Sequence, residues 1–395
     1  MLSASYNGDM EIILQLEKTN LKCSTIEGLD GQMILSRHPD GFSNQFIKLF
    51  SGENFNFLPQ KYEKMAQHFA SSSQVSPLMV PRHVLQASID GSVNVLRGIL
   101  DEDKNKNYAQ HWIKIHEFLQ SLCNAKINSE ELNKIIAEHS EINNGGFESF
   151  RPNARGFAKK IKYNMLGTVT GRLTVESGPQ ILTTHKSVRR CITSSFEDGS
   201  IFEIDFKSIE PRLAMVTAGI DPPDDVYQEL LNEFPQLGRK NAKLVTLTAL
   251  YGGQANRITE TIGDISVARK AVAFVRSHFR VDKMDRMLEK MSEDDLVRNV
   301  LGRPLREATK NPRIRVNHYL QSSAAEVSIL IFKQICDLMG EAVRPLFVVH
   351  DALIFDVAPG NEEDVAKIIK SANFNGTKMP MNLTRLDNTY DHAVT

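Results

Sequence analysis

Two periodicities alternate along the chain. Strand-length apolar runs appear at Glu11-Ile12-Ile13-Leu14-Gln15-Leu16, at Gln32-Met33-Ile34-Leu35 and at Ser200-Ile201-Phe202-Glu203-Ile204. Two more, Leu346-Phe347-Val348-Val349 and Ala352-Leu353-Ile354-Phe355, are separated only by His350-Asp351, which predicts a hairpin. Helical spacing takes over from about 91 to 140, notably over 111–119 and 129–136, with Ser129 the expected N-cap ahead of Glu130 and Glu131. Residues 213–300 read as mostly helical, and 324–339, without Pro or Gly, as one helix. Asn143-Asn144-Gly145-Gly146 marks a break. The pattern is that of an α+β protein whose first 90 residues form a small α/β segment of no assignable function.

The strongest strand signals end in carboxylates. Asp205 closes one and is followed by Ser208-Ile209-Glu210-Pro211-Arg212; Asp351 sits in the predicted hairpin turn. Alone, each is an ordinary strand-end turn residue. Together, two strand-end carboxylates far apart in sequence can converge on one sheet and hold Mg²⁺, which takes hard oxygen ligands and substrate phosphates. Between them runs Arg239-Lys240-Asn241-Ala242-Lys243-Leu244-Val245-Thr246-Leu247-Thr248-Ala249-Leu250-Tyr251-Gly252. On a helix, Arg239, Lys243, Leu247 and Tyr251 share one face at four-residue steps. Two cations a turn apart suit a triphosphate, Lys as a point charge and Arg as a fork, and the aromatic suits a base. A solvated helix with an apolar stripe has the same spacing.

Composition moves the question of nucleic acid from global to local. The net charge over 395 residues is −1, so any phosphate-binding surface must be a patch. Residues 151–190 carry Arg151, Arg155, Lys159, Lys160, Lys162, Arg172, Lys186, Arg189 and Arg190 against Glu176. A second cluster holds Arg298, Arg303, Arg306, Lys310, Arg313 and Arg315 against Glu307, and the stretch 197–233 between the two is acidic. Two basic clusters flanking a candidate metal site favour contact with a phosphate backbone. Cys23, Cys123, Cys191 and Cys336 are scattered, with no zinc spacing, and read as buried thiols in a reducing compartment. No signal peptide or bilayer span is expected, and the location expected is the cytoplasm.

Combined, these segments resemble the motifs of the family A DNA polymerases, the DNA polymerase I class. Asp205-Phe206-Lys207-Ser208-Ile209-Glu210 is close to D-Y-S-x-I-E-x-R; Arg239, Lys243, Leu247, Tyr251 and Gly252 fit R-x-x-x-K-x-x-x-φ-x-x-x-Y-G; Val349-His350-Asp351 fits V-H-D. Thr170-Gly171-Arg172-Leu173 resembles T-G-R-L, and Gln321 with Ser322-Ser323-Ala324-Ala325-Glu326 resembles Q-G-T-A-A-D. Five motifs in order over about 160–357 make a specific signal. The resemblance implies a compact, phage-type enzyme with a right-hand fold: thumb-like helices over 91–160, an antiparallel palm sheet over 161–212 and 301–395, and helical fingers over 213–300. A phage origin would put it in a bacterial host's cytoplasm. It also implies a monomer acting on primer-template DNA and dNTPs.

The same resemblance implies roles. Asp205 and Asp351, with the Phe206 carbonyl, would hold two Mg²⁺ ions, with Mn²⁺ as a substitute. Arg239 and Lys243 would bind the γ and α phosphates, Lys243 also protonating pyrophosphate; Glu210 would block a ribose 2′-hydroxyl; and Tyr251 would stack near the templating base. Arg172, Arg313, Asn317, Gln321 and His350 would touch primer and template. Leu247, Thr248 and Ala352 depart from the family's aromatic, Gly and Glu, and Tyr227 lies where a phosphate-contacting His is expected. Asp9-Met10-Glu11 has the letters of a proofreading nuclease motif but follows a turn-like Tyr6-Asn7-Gly8, so no exonuclease is expected.

Overall fold

The computed structural model describes residues 3–5, 12–16, 19–23, 42–52, 81–139, 141 and 145–386. They fall into two compact units, one of residues 1–116 with 301–304, the other of 117–300 with 305–395. Both Asp9-Met10-Glu11 and Gln32-Met33-Ile34-Leu35 lie outside the described residues.

In the first unit, β1 (Ser3–Ser5), β2 (Ile12–Leu16) and β3 (Thr19–Cys23) pair antiparallel in sequence order. Helices α1 (Phe42–Ser51), α2 (Arg82–Leu100) and α3 (Asp103–Ser121) follow. Phe46, Phe50, Tyr108 and Trp112 cluster with ring centroids 4.7–6.3 Å apart. The Arg303 guanidinium lies 5.8 Å over the Trp112 ring and donates to the Tyr108 hydroxyl. Arg303 is therefore 1% exposed, a packing cation (a cation–π contact gains when desolvated) and not the phosphate contact its cluster suggests. Gly302 makes this approach possible: its φ is +102°, and a Cβ there would sit 3.1 Å from the Tyr108 Cβ.

The second unit begins its helices with α4 (Ser129–Glu138), whose cap is Asn128, not Ser129. The Asn128 carbonyl oxygen Oδ1 accepts from the amides of Glu130 and Glu131 at 3.0 and 3.1 Å. A cap must stand outside the helix in extended backbone, and Asn128 does so one residue earlier. Next come β4 (Ser200–Phe206), α5 (Ile209–Thr217), α6 (Gly238–Leu250), α7 (Ile265–His278), α8 (Val281–Asp294) and α9 (Arg315–Met339). Three strands complete the unit's main sheet: β5 (Val343–Val349), β6 (Ala352–Val357) and β7 (Met381–Arg385).

The main sheet is antiparallel, in the order β7-β4-β6-β5. The predicted strand and hairpin are both present, and the predicted helix 324–339 is the later part of α9. Pro345 is tolerated because β5 is an edge strand, and the ladder is irregular between Ile354 and Phe355 where Phe355 meets it. Helix α9 packs on the sheet through Phe332, whose ring centroid is 5.4 Å from that of Phe206. Tyr163 pins β5 from outside the sheet, its hydroxyl donating to the Val348 carbonyl at 2.7 Å and accepting from the Val348 amide at 3.1 Å. No helix among the described residues is long and apolar enough to cross a membrane.

Candidate functional site

Strand pairing brings the two carboxylates together. Asp205 near the end of β4 is directly opposite Ala352 at the start of β6, so Asp351, one residue before Ala352, lies beside it. The Asp351 carbonyl accepts the Phe206 amide at 3.3 Å. In the two-residue turn His350 takes φ 57°, a position usually given to Gly. Ser208, in the turn after β4, takes φ 63°. Asp351 thus directly follows a left-handed non-glycine residue and Asp205 lies three residues before another, each a conformation costing about 1–3 kcal/mol that surrounding structure must hold.

Burial pushes the Asp205 carboxyl up to about 6, with the charges of Asp351 and Glu203 adding to the rise and those of Lys243 and Arg189 opposing it. Half-buried like charges of this kind are what a bound cation relieves. Among the described residues no third His, Cys, Asp or Glu completes a ligand cluster. That donor set fits Mg²⁺, which is held by one or two carboxylates while water and substrate phosphates fill the other positions. The Phe206 carbonyl accepts the Ser208 amide at 3.0 Å, and its ring is buried.

Helix α6 carries the two cations, both exposed. Lys243 is near enough to Asp205 to favour its ionised form. Arg239 is instead ion-paired with Asp225 and lies 5.4 Å over the Tyr227 ring. Tyr227 is 2% exposed, and its hydroxyl accepts from Ser208 Oγ at 2.9 Å. The loop carrying Asp225 is tied to the turn after β4 by Arg212, which donates to the carbonyls of Lys207, Pro223 and Asp224 at 3.0, 3.0 and 2.6 Å. Leu247 is half-buried on the same helix, and Tyr251 stands just past its end.

A second group forms around Glu210, which is buried. One of its oxygens accepts from Arg172 Nη2 at 2.7 Å, and the other accepts the Tyr251 hydroxyl. Gln321 on α9 is also hydrogen-bonded to Tyr251, and burial, with Glu210 adding, raises the Tyr251 pKa. Arg172, Glu210 and Gln321 line one pocket with His350 and Asp351. Further along, Arg313 is exposed in a short turn beside Gly252, where an added Cβ would lie 3.5 Å from the Arg313 carbonyl. Asn317, half-buried on α9, has a side-chain oxygen that is buried without a hydrogen-bond partner.

The structure therefore joins Asp205, Asp351 and Lys243 in one group and Arg172, Glu210, Tyr251 and Gln321 in another, sharing the pocket edge at His350 and Asp351. Arg239 and Tyr227 form a third, held by Asp225. Sequence reading missed Asp225, the three-carbonyl grip of Arg212 and the flanking Glu203–Arg189 ion pair. Only the acidic run Asp221, Asp224 and Asp225 ahead of Tyr227 hinted at the first. The basic clusters are also partly spent internally: Arg151 pairs with Glu148, Lys162 with Glu176, Arg189 with Glu203, and Arg190 with Glu131 and Glu138. Arg315 is 4% exposed, 3.9 Å from both Asp285 and Glu289. Counting charges along a sequence cannot see partners that folding supplies from elsewhere.

Residues 95–384 match the family described as DNA polymerase family A. The chain belongs to that family, and it is a template-directed DNA polymerase. Among solved structures it resembles the POL domain of Pol1 from M. smegmatis in complex with DNA primer-template and dNTP, with a TM-score of 0.55 at 13% identity. The likeness covers 88% of this chain and 81% of that one, and the fold is the right-hand α+β polymerase fold. No curated protein matches.

Proposed function

We propose that this polymerase extends a primer 3′-hydroxyl with dNTPs by in-line phosphoryl transfer centred on Asp205 and Asp351. The observation that carries the reading is the β4–β6 register, which stands Asp351 beside Asp205 with Lys243 close by. Two Mg²⁺ ions held by Asp205, Asp351 and the Phe206 carbonyl, or Mn²⁺ in their place, would supply charge for activating the 3′-hydroxyl and neutralising the leaving pyrophosphate. Arg239 and Lys243 bind the γ and α phosphates, and Lys243 gives a proton to pyrophosphate; such transfer depends mainly on positioning and charge. Tyr227 contributes to the Arg239 side of the nucleotide site.

Glu210 fills the space a 2′-hydroxyl would need, and its two hydrogen-bonded neighbours fix it there. Tyr251 faces the base. Arg172, Arg313, Asn317, Gln321 and His350 contact primer and template, where minor-groove contacts sense pairing geometry more than sequence. By this reading 91–160 acts as thumb, 161–212 with 301–395 as palm and 213–300 as fingers, in a monomer. The Pol1 domain it resembles is in complex with DNA primer-template and dNTP, which supports the same partners here.

A labelled primer-template incubated with Mg²⁺ and four dNTPs tests this directly. Extension is expected. A mobility shift without extension would mark a DNA-holding relative, and shortening would mark a nuclease.

A further inference from the structure

Resting on the polymerase reading, we propose that Asp225 is a resident counter-ion of Arg239 which the incoming triphosphate displaces, making it a positioning residue that sets dNTP affinity. A guanidinium fork takes a carboxylate or a phosphate through the same donors. Asp225 and a nucleotide phosphate are therefore competitors for Arg239.

The arrangement around the pair is built to keep it available. Asp225 Oδ1 also accepts the Tyr227 amide at 3.0 Å, and Arg212 grips the adjoining carbonyls of Pro223 and Asp224. The Tyr227 ring lies under the guanidinium, with its hydroxyl fixed by Ser208. Burial pushes the Asp225 carboxyl up, but the Arg239 contact and the Tyr227 amide outweigh it and hold the group below its usual range. The carboxylate is thus charged at neutral pH. Arg239 is 63% exposed at its side chain and Asp225 30%, so the pair is anchored at one end and open to water at the other. Exposed pairs are weak, and a multiply charged triphosphate can replace one. The loop keeps Arg239 aimed between nucleotides, and the exchange lowers apparent affinity for each dNTP.

The test is Asp225→Asn, which keeps an oxygen for the Tyr227 amide while removing the charge. Its KM for dNTPs should fall roughly two- to fivefold, the span expected for losing an exposed ion pair, with the effect in KM and not in kcat. Inorganic tripolyphosphate should bind the variant tighter by a similar factor in calorimetry. Asp225→Glu, which keeps the charge, should stay near the parent in both, and Asp225→Ser should follow Asn. A KM equal to or above the parent's in both neutral variants, or unchanged tripolyphosphate binding, overturns the proposal. Tripolyphosphate binding needs no turnover, so it still judges Asp225 if the parent extends no primer, an outcome that would instead remove the polymerase reading.

Discussion

Ala352 stands directly opposite Asp205 in the pairing of β6 with β4. Cross-strand neighbours on one face lie about 4.5–5.5 Å apart at Cβ, so a longer acidic side chain at 352 would reach the carboxylate pair. With a methyl group there, position 352 adds no carboxylate beside Asp205 and Asp351.

As the proposed metal ligands, neither aspartate should be dispensable. Asp205→Asn and Asp351→Asn are each expected to lower extension by at least about 10²–10³, the scale for losing one electrostatic group at a reaction centre. Gel-shift affinity for duplex primer-template should be nearly unchanged. Extension within a few-fold of the parent would take that residue out of the metal site.

The raised Asp205 pKa fixes a pH dependence. Its folded value of about 6 lies above the ordinary 3.8, so between those values the folded chain holds a proton the unfolded chain has lost. This group's contribution to stability accordingly falls as pH rises through that interval. In the proposed metal site, Mg²⁺ would compete with the proton for the same carboxylate. The Mg²⁺ concentration for half-maximal extension should increase as pH drops below about 6, and in metal-free protein Mg²⁺ addition should raise Tm more above that pH than below it. A pH-independent Mg²⁺ requirement would contradict both.

Glu210 is clamped from two sides, by Arg172 and by the Tyr251 hydroxyl. Glu210→Ala should raise ribonucleotide incorporation by about 10-fold or more, the effect of opening room for a small group in a specificity pocket. Tyr251→Phe should raise it less, because the carboxylate loses one anchor but keeps its bulk. Single-nucleotide incorporation with matched dNTP and rNTP measures both. Unchanged sugar preference in Glu210→Ala would mean that this side chain does not gate the sugar.

In the proposed nucleotide site, Leu247 would offer apolar contact without a flat face. Leu247→Phe should lower the dNTP KM by up to about tenfold, since base–aromatic stacking contributes about 1–3 kcal/mol in single-strand binders. Half-burial on α6 sets the opposing possibility that a ring overpacks the site. Higher KM with lower Tm would decide for packing.

Phe332→Ala tests how far the sheet depends on α9. The side chain is 0% exposed and faces Phe206, next to Asp205. A loss of about 3–5 kcal/mol is expected in denaturant unfolding, together with lower activity in the surviving fold. A loss under about 1 kcal/mol would show that the contact is readily repacked.

Local chemistry was the legible part of this protein. The strand into Asp205, the hairpin at Asp351 and the helix holding Arg239 and Lys243 are each written in neighbouring residues, through apolar runs and four-residue spacing. Motif order then brought the distant aspartates together, which no local pattern does. What stayed hidden depends on partners far away in sequence: Glu203 taking Arg189, Glu210 taking Arg172, and Asp225 taking Arg239. Asn128 displaced Ser129 as the cap for a humbler reason, since two adjacent residues could both do the work and backbone geometry chose. The burial of Arg303 was equally invisible, because a cation stacked on Trp112 spells the same as one facing DNA.

The place of β4 between β6 and β7 also orders the protein's assembly. Asp205 is made early, yet its strand gains one neighbour only when the hairpin of Val343–Val357 arrives and the other only when Met381–Arg385 is made. Until then the strand carrying Asp205 has unpaired edges, which invite pairing with other chains. Such long-range closure is slow to form. A ribosome-bound chain halted before residue 381 should therefore be inactive and prone to aggregate, even with Asp205, Lys243 and Asp351 all in place.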